Sequence, residues 1–119
     1  MNKYILSVLD RKNKTEEELA ANADGAYDVW VADAAAADIA TAEVYVANWV
    51  AATWAAHWSA AAADAAAWAW SAAEAAWAVA CYNGAADNNI NVERQLDGYF
   101  RVSGESREEY EKVIKESRG

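Results

Sequence analysis

The sequence predicts an all-α fold: a helical hairpin or small bundle over residues 16–82, followed by two shorter helices within 87–117, in a single domain spanning 1–119. Three observations predict it. There is no proline, and no glycine falls between Gly25 and Gly84, so the two residues that most often interrupt a helix are missing from that stretch. About half of the residues from Val31 to Ala80 are alanine, the residue of highest helix propensity. Two capping boxes, Thr15-Glu16-Glu17-Glu18 and Ser106-Arg107-Glu108-Glu109, mark helix starts in which a hydroxyl and a carboxylate satisfy the first free N–H groups reciprocally.

Residues 1–15 comprise a short apolar segment at 2–9 and a solvated basic turn, Arg11-Lys12-Asn13-Lys14. A helix then starts near Glu16, where three glutamates suit the positive end of its dipole. One unbroken helix over the stretch between Gly25 and Gly84 would be implausibly long for a compact chain, roughly 87 Å at 1.5 Å per residue. A break is expected, with Ser59 the best N-cap and Thr41 a weaker one. Tyr82-Asn83-Gly84 reads as a helix end with the glycine in the left-handed conformation. Asp87-Asn88-Asn89 opens the next helix, whose Val92, Leu96 and Tyr99 or Phe100 recur at helical spacing to about Val102. Gly104 ends it, and the terminal helix carries Tyr110, Val113 and Ile114 on one face.

One pattern favours a different fold. Asp28, Asp33, Asp38, Glu43, Asn48 and Thr53 recur every five residues, and five of the six follow an alanine. On a helix a step of five turns about 140°, scattering these groups around every face. The run over residues 27–56 resembles pentapeptide-repeat proteins, and that resemblance implies the alternative of a short right-handed β-helix in the middle with a helical C-terminus. Alanine is depleted in strands, and thirty residues give too few coils to stack a core.

Charge is sharply segregated. No lysine or arginine occurs between Thr15 and Glu93, where twelve of the nineteen carboxylates lie. All seven tryptophans fall in the same window, and from Val31 to Ala80 there is neither leucine nor phenylalanine. An excess of negative charge disfavours direct contact with nucleic acid or an anionic membrane and suits a basic partner. The alanine stretch is interrupted by Asp33, Asp38, Glu43, Asp64 and Glu74, so no membrane span is expected. The N-terminus lacks the features of a secretory signal, and the lone Cys81 fits a reducing cytoplasm.

No chemistry is spelled out, and a non-enzymatic protein without cofactor or metal is the expectation. His57 is the single histidine and Cys81 the single cysteine, far short of a zinc site and without a neighbouring nucleophile–base motif. Asp87-Asn88-Asn89-Ile90-Asn91-Val92-Glu93 begins like a calcium loop but has Val92 where glycine belongs and Gly98 where the closing glutamate belongs; a polar helix start explains it better.

MNKYILSVLD, TEEELAANADGAY, the acidic Ala/aromatic middle and LDGYFRVSGESREEYEKVIKE together resemble a group of small uncharacterised proteins of tailed bacteriophages, most visibly at Tyr99-Phe100, Ser103-Gly104-Glu105 and Tyr110. The resemblance implies an accessory protein of the bacterial cytoplasm, of a kind that binds and inhibits a host or defence protein. Read with the composition, the expected partner is a basic host or defence protein met by Glu16, Glu17, Asp24, Asp28, Asp33, Asp38 and Glu43, with Trp30, Trp49 and Trp54 as anchors. DNA mimicry is one form of this, because acids five residues apart rise about 7.5 Å along a helix. The alternative is a self-assembling structural protein, a homo-oligomer formed through close Ala–Ala helix contact.

Overall fold

The computed structural model describes residues 1–47, 50–82 and 86–118. In chain order, α1 is Lys3–Leu9, a 3-10 turn covers Arg11–Asn13, α2 is Glu16–Ala47, α3 is Val50–Cys81, α4 is Ala86–Ser103 and α5 is Arg107–Arg118. There is no strand among the described residues. The expected hairpin with two shorter C-terminal helices is what forms, and the β-helix alternative is not supported.

The two long helices have 32 residues each, about 48 Å at 1.5 Å per residue, which accounts for the 51 Å length of the molecule. They pack along a seam readable in the burial pattern. On α2, Leu19, Ala23, Ala26, Trp30, Asp33, Ala37, Ala40 and Val44 alternate steps of four and three, and each is buried or half-buried. On α3, Ala52, Ala56, Ser59, Ala63, Ala66, Trp70 and Ala73 do the same. That alternation is the mark of two helices winding around one another, and alanine at most contacts lets the backbones approach closely. Trp30 and Trp70 are the large exceptions, and they stack on each other with ring centroids 5.0 Å apart.

The expected break at Ser59 is corrected: α3 runs through it, because Ser59 sits on the seam at helical register rather than at a helix start. Thr41 does not break α2 either. Its hydroxyl donates to the carbonyl of Ala37 at 2.9 Å, the bond a threonine makes from a helix interior. Instead α2 ends at Ala47 and α3 begins at Val50. The expected left-handed Gly84 lies outside the described residues.

Thr15 caps α2 as the sequence predicts. Glu18 N–H donates to the Thr15 hydroxyl at 3.1 Å, and Thr15 N–H donates back to the Glu18 carboxylate at 3.1 Å. The apolar segment at 2–9 is α1, capped by Asn2, whose side-chain oxygen accepts from the N–H groups of Tyr4 and Ile5. Gly104, at φ 73°, stops α4 as expected and donates to Phe100 O at 3.1 Å. Ser106 caps α5, accepting from Glu109 N–H at 3.4 Å.

α4 packs on the C-terminal half of α3, α1 crosses both α2 and α3, and α5 returns against α1. The flanks supply most of the large fully buried side chains, namely Ile5, Val8, Val92, Leu96 and Tyr110, each worth about 1.5–3 kcal/mol of burial. They close over a floor of Ala69, Ala72, Ala73, Ala75 and Ala76 from α3. In the basic turn Lys12 and Asn13 are exposed as expected, but Arg11 is not solvated. Arg11 has its side chain 13% exposed. It donates to Val8 O, to Asn89 Oδ1 and to Glu93 Oε1, and Arg107 binds the other Glu93 oxygen at 2.7 Å. A second polar latch joins the chain ends: Tyr99 and Tyr110 both donate to Glu105 Oε1, and Asn2 N–H donates to Tyr110 Oη at 2.8 Å.

Candidate functional site

The packed core occupies one half of the hairpin only. Its cluster reaches no further along α2 than Ala26 and no nearer the hairpin turn along α3 than the partly buried Ala65. Residues 27–64 contribute nothing to it among those described. Beyond the head, α2 and α3 therefore run on as a bare two-helix arm. From Val31 to Val46 every residue outside the seam except Ala34 is exposed.

This arm carries large apolar groups that face solvent: Ile39, Tyr45 (84% exposed) and Val46 (88%) on α2, and Val50, Trp54 (57%) and Trp58 (66%) on α3. Covering a tryptophan left this open removes roughly 150 Å² from water, on the order of 3–4 kcal/mol before the costs of association. His57 lies edge-on to both rings, with centroids 6.0 Å from Trp54 and 5.6 Å from Trp58, giving one continuous aromatic row over successive turns. Thr53, Trp54 and His57 line an open hollow of about 320 Å³. Asp28, Asp33, Asp38 and Glu43 on α2 and Asp64 on α3 are the arm's charges, and it has no lysine or arginine.

The predicted partner-binding residues divide between the two halves of the molecule. Glu16 and Glu17 lie in the first turn of α2, where Glu16 Oε1 accepts from the Cys81 thiol at 3.3 Å, Asp24 is exposed further along the head, and Asp28 is exposed where the arm begins. Asp33, Asp38, Glu43 and Trp54 are on the arm, with Asp33 half-buried on the seam and the other three exposed. Trp30 is held between the helices, stacked on Trp70 with Tyr27 at 5.7 Å. Trp49 lies outside the described residues. Sequence reasoning did not single out Trp58, Ile39, Tyr45 or Val46 as contact residues. The signal was present in the spacing: Trp54 and Trp58 are one turn apart, and Ile39 and Val46 one heptad apart.

His57 and Cys81 belong to the same helix, about 36 Å apart along it at 1.5 Å per residue. Burial and the neighbouring Glu16 carboxylate push the Cys81 thiol pKa up, away from a reactive thiolate. Among the described residues no group of three or more His, Cys, Asp or Glu side chains could hold a metal ion, and no helix is long and apolar enough to cross a membrane. A cavity of about 380 Å³ in the head is lined by Arg11, Lys12, Leu19, Ala76, Val79, Ala80 and Asn89, but Arg11 is already committed to Val8, Asn89 and Glu93. No family model, curated protein or solved structure matches the chain.

Proposed function

We propose that this is a non-enzymatic interaction protein that binds a basic partner protein through the bare arm of its hairpin. The resemblance to phage accessory proteins extends the proposal to its setting: a bacterial cytoplasm, and a host or defence protein blocked by the binding. The carrying observation is the exposed row of Trp54, His57 and Trp58 on an arm whose charges are all negative. Scattered carboxylates alone keep a protein soluble, but solubility does not call for open tryptophans beside them. Trp rings are the side chains most enriched at the energetic centres of interfaces, and acids without cations steer a positively charged partner towards them.

Self-association is the competing reading. Apposing two arms would bring together two surfaces that carry carboxylates and no lysine or arginine, a like-charge arrangement that disfavours it. DNA mimicry is less well supported: Asp33, Asp38 and Glu43 lie on a continuous helix, so their five-residue step turns them around it instead of forming two tracks.

The test is capture from bacterial lysate by wild type, by Trp54→Ala/Trp58→Ala and by Asp38→Asn/Glu43→Gln, at about 0.05 M and about 0.5 M salt. A basic protein retained by wild type at low salt and lost with either variant or with salt is the expected result. Retention that is the same for all three proteins and indifferent to salt refutes it.

A further inference from the structure

Both faces of the arm continue faces that are covered by helices in the head. On α2, a side chain at Gly25 would meet the Tyr4 ring of α1 at 2.7 Å, so α1 lies against that position. The same heptad position recurs at Ala32, Ile39 and Val46, and all three are exposed. With Ala35 and Ala42 they form an apolar stripe free of charge for about four turns, roughly 21 Å. On α3, the Trp68 ring lies against Gly98 of α4, where a side chain would meet it at 2.4 Å. The same position recurs at Ala61 and Trp54, with Trp58 one turn from each. The head solves the packing of these two faces with helices, and the arm presents the same faces with no helix on them.

From this continuity we infer that the arm's occupant is a basic amphipathic α-helix of the partner, about 14 residues or more in contact, seated on the stripes that run on from α1 and α4. The inference rests on the proposed function and specifies the form of its partner. The occupant's apolar side meets Ile39, Val46, Trp54 and Trp58. Its lysines or arginines meet Asp38, Glu43 and Asp64, which no cation of the arm neutralises. A second copy of this chain is a poor occupant for the like-charge reason given above. Helix-in-groove recognition of this kind places anchors at every third or fourth residue and draws its selectivity from the flanking charge.

Three synthetic 18-residue peptides test it on the full-length protein: a Leu/Lys sequence with helical amphipathic spacing, its Leu/Glu counterpart, and a shuffled Leu/Lys sequence of the same composition. Binding is read by tryptophan emission and calorimetry, helix formation in the peptide by circular dichroism, and self-association by sedimentation. The amphipathic basic peptide is expected to bind at least about 10-fold more tightly than the shuffled one, as anchors set by helical spacing require, and to become helical on binding. Trp54→Ala and, independently, Ile39→Lys should each weaken it by about 5-fold or more, and added salt should weaken it further. Both positions are exposed, so neither variant is expected to lose its fold, which circular dichroism of the free protein checks. If both Leu/Lys peptides bind equally and both are lost with Trp54→Ala, the helical occupant is refuted while the basic partner stands. If neither binds, both are refuted. Preference for the Leu/Glu peptide, or a stable dimer formed through the arm without any peptide, also overturns the inference.

Discussion

The tight contact between the Trp68 ring of α3 and Gly98 of α4 gives the sharpest test of the fold, through Gly98→Ala. In a helix interior that lacked close neighbours, alanine would stabilise relative to glycine by about 1 kcal/mol. At Gly98 the added methyl would meet three atoms of the Trp68 indole at 2.4, 2.5 and 2.8 Å, all well inside ordinary contact. The ring is planar and rigid, and it belongs to the α3–α4 contact beside buried Leu96 and Tyr99, so it yields only if the two helices part. Overpacking of this kind costs typically 1–3 kcal/mol, and with three atoms affected the upper part of that range applies. After subtracting the helix-propensity gain, the expected net loss is about 1–2 kcal/mol, or about 4–8 °C in Tm for a chain of this length. Urea and thermal denaturation of wild type, Gly98→Ala, Trp68→Leu and the double variant measure it. In the Trp68→Leu background the added methyl should be neutral or stabilising, which gives a coupling energy of at least about 1 kcal/mol. Gly25→Ala is the contrasting case. Its methyl meets the outer edge of the Tyr4 ring, at 2.7 Å from Cε1 and 3.2–3.3 Å from Oη and Cζ. That far end of a flexible side chain can swing aside, so the change should lie within about 1 kcal/mol of wild type. A Gly98→Ala protein more stable than wild type would show that α4 does not approach α3 at this point, and the packing argument would fail.

Other parts of the head respond to pH and truncation. Burial, with Glu105 beside both phenols, raises the pKa of Tyr99 and Tyr110. Native phenols therefore keep their protons where unfolded ones ionise, so their contribution is complete below about pH 10 and declines as pH rises, by up to about 1.4 kcal/mol per pH unit for each group. Tyr99→Phe should flatten the fall in urea midpoint above pH 10, and an unchanged slope would contradict the Glu105 latch. At the acid end, the Arg107 hydrogen bond, opposed by burial and aided by Arg11, holds Glu93 below the usual carboxylate range. Its contribution is present above about pH 4.3 and is lost as pH falls further, and solvent screening limits it to about 1 kcal/mol. Glu93→Gln should therefore lower stability at pH 7 and match wild type near pH 2 by chemical denaturation. Trp54→Ala and Trp58→Ala should move Tm by no more than about 2 °C, since little packing is lost and alanine favours the helix. Trp70→Ala, which removes the stack on Trp30 and the edge contact with Tyr27 at 5.2 Å, should cost about 2–3 kcal/mol. Equal effects at the three positions would show that the arm rings are packed after all.

Helix content and cap positions were legible because they depend on neighbours in sequence. Thr15 and Glu18 need only each other, and Gly104 needs only the preceding turn. The hairpin turn was not legible. Ser59 has the side chain of a cap, but its place in the three-and-four series that includes Ala56 and Ala63 puts it on the seam, and a seam is defined only by the partner helix. Arg11 was misread for a related reason: its partners Asn89 and Glu93 are contributed from the far side of the chain, and nothing near the basic turn announces them.

The five-residue period is where local and tertiary logic part most clearly, and it also explains why the arm stays bare. On a β-helix such a step would keep its acids on repeated corners. On the helix that forms, each step advances about 140°, so Asp33 reaches the seam while Asp38 and Glu43 lie in solvent. Burying a whole α2 face against this protein's own helices would force carboxylates out of water without partners, at a cost of several kcal/mol each. The chain avoids that by ending its core cluster at Ala26, before the repeat sets in, and by placing every cation outside residues 15–93. What remains is an arm whose apolar stripes cannot be closed from within the chain, because the groups able to neutralise its rim are not on it. The proposed cationic helix would supply both missing components, apolar cover for Trp54 and Trp58 and counter-charge for Asp38 and Glu43. Reversing the charge at those two acids should therefore damage binding more than removing it: Asp38→Lys/Glu43→Lys should abolish capture of the basic amphipathic peptide that Asp38→Asn/Glu43→Gln merely weakens, while leaving Tm unchanged within about 2 °C, as expected for exposed sites.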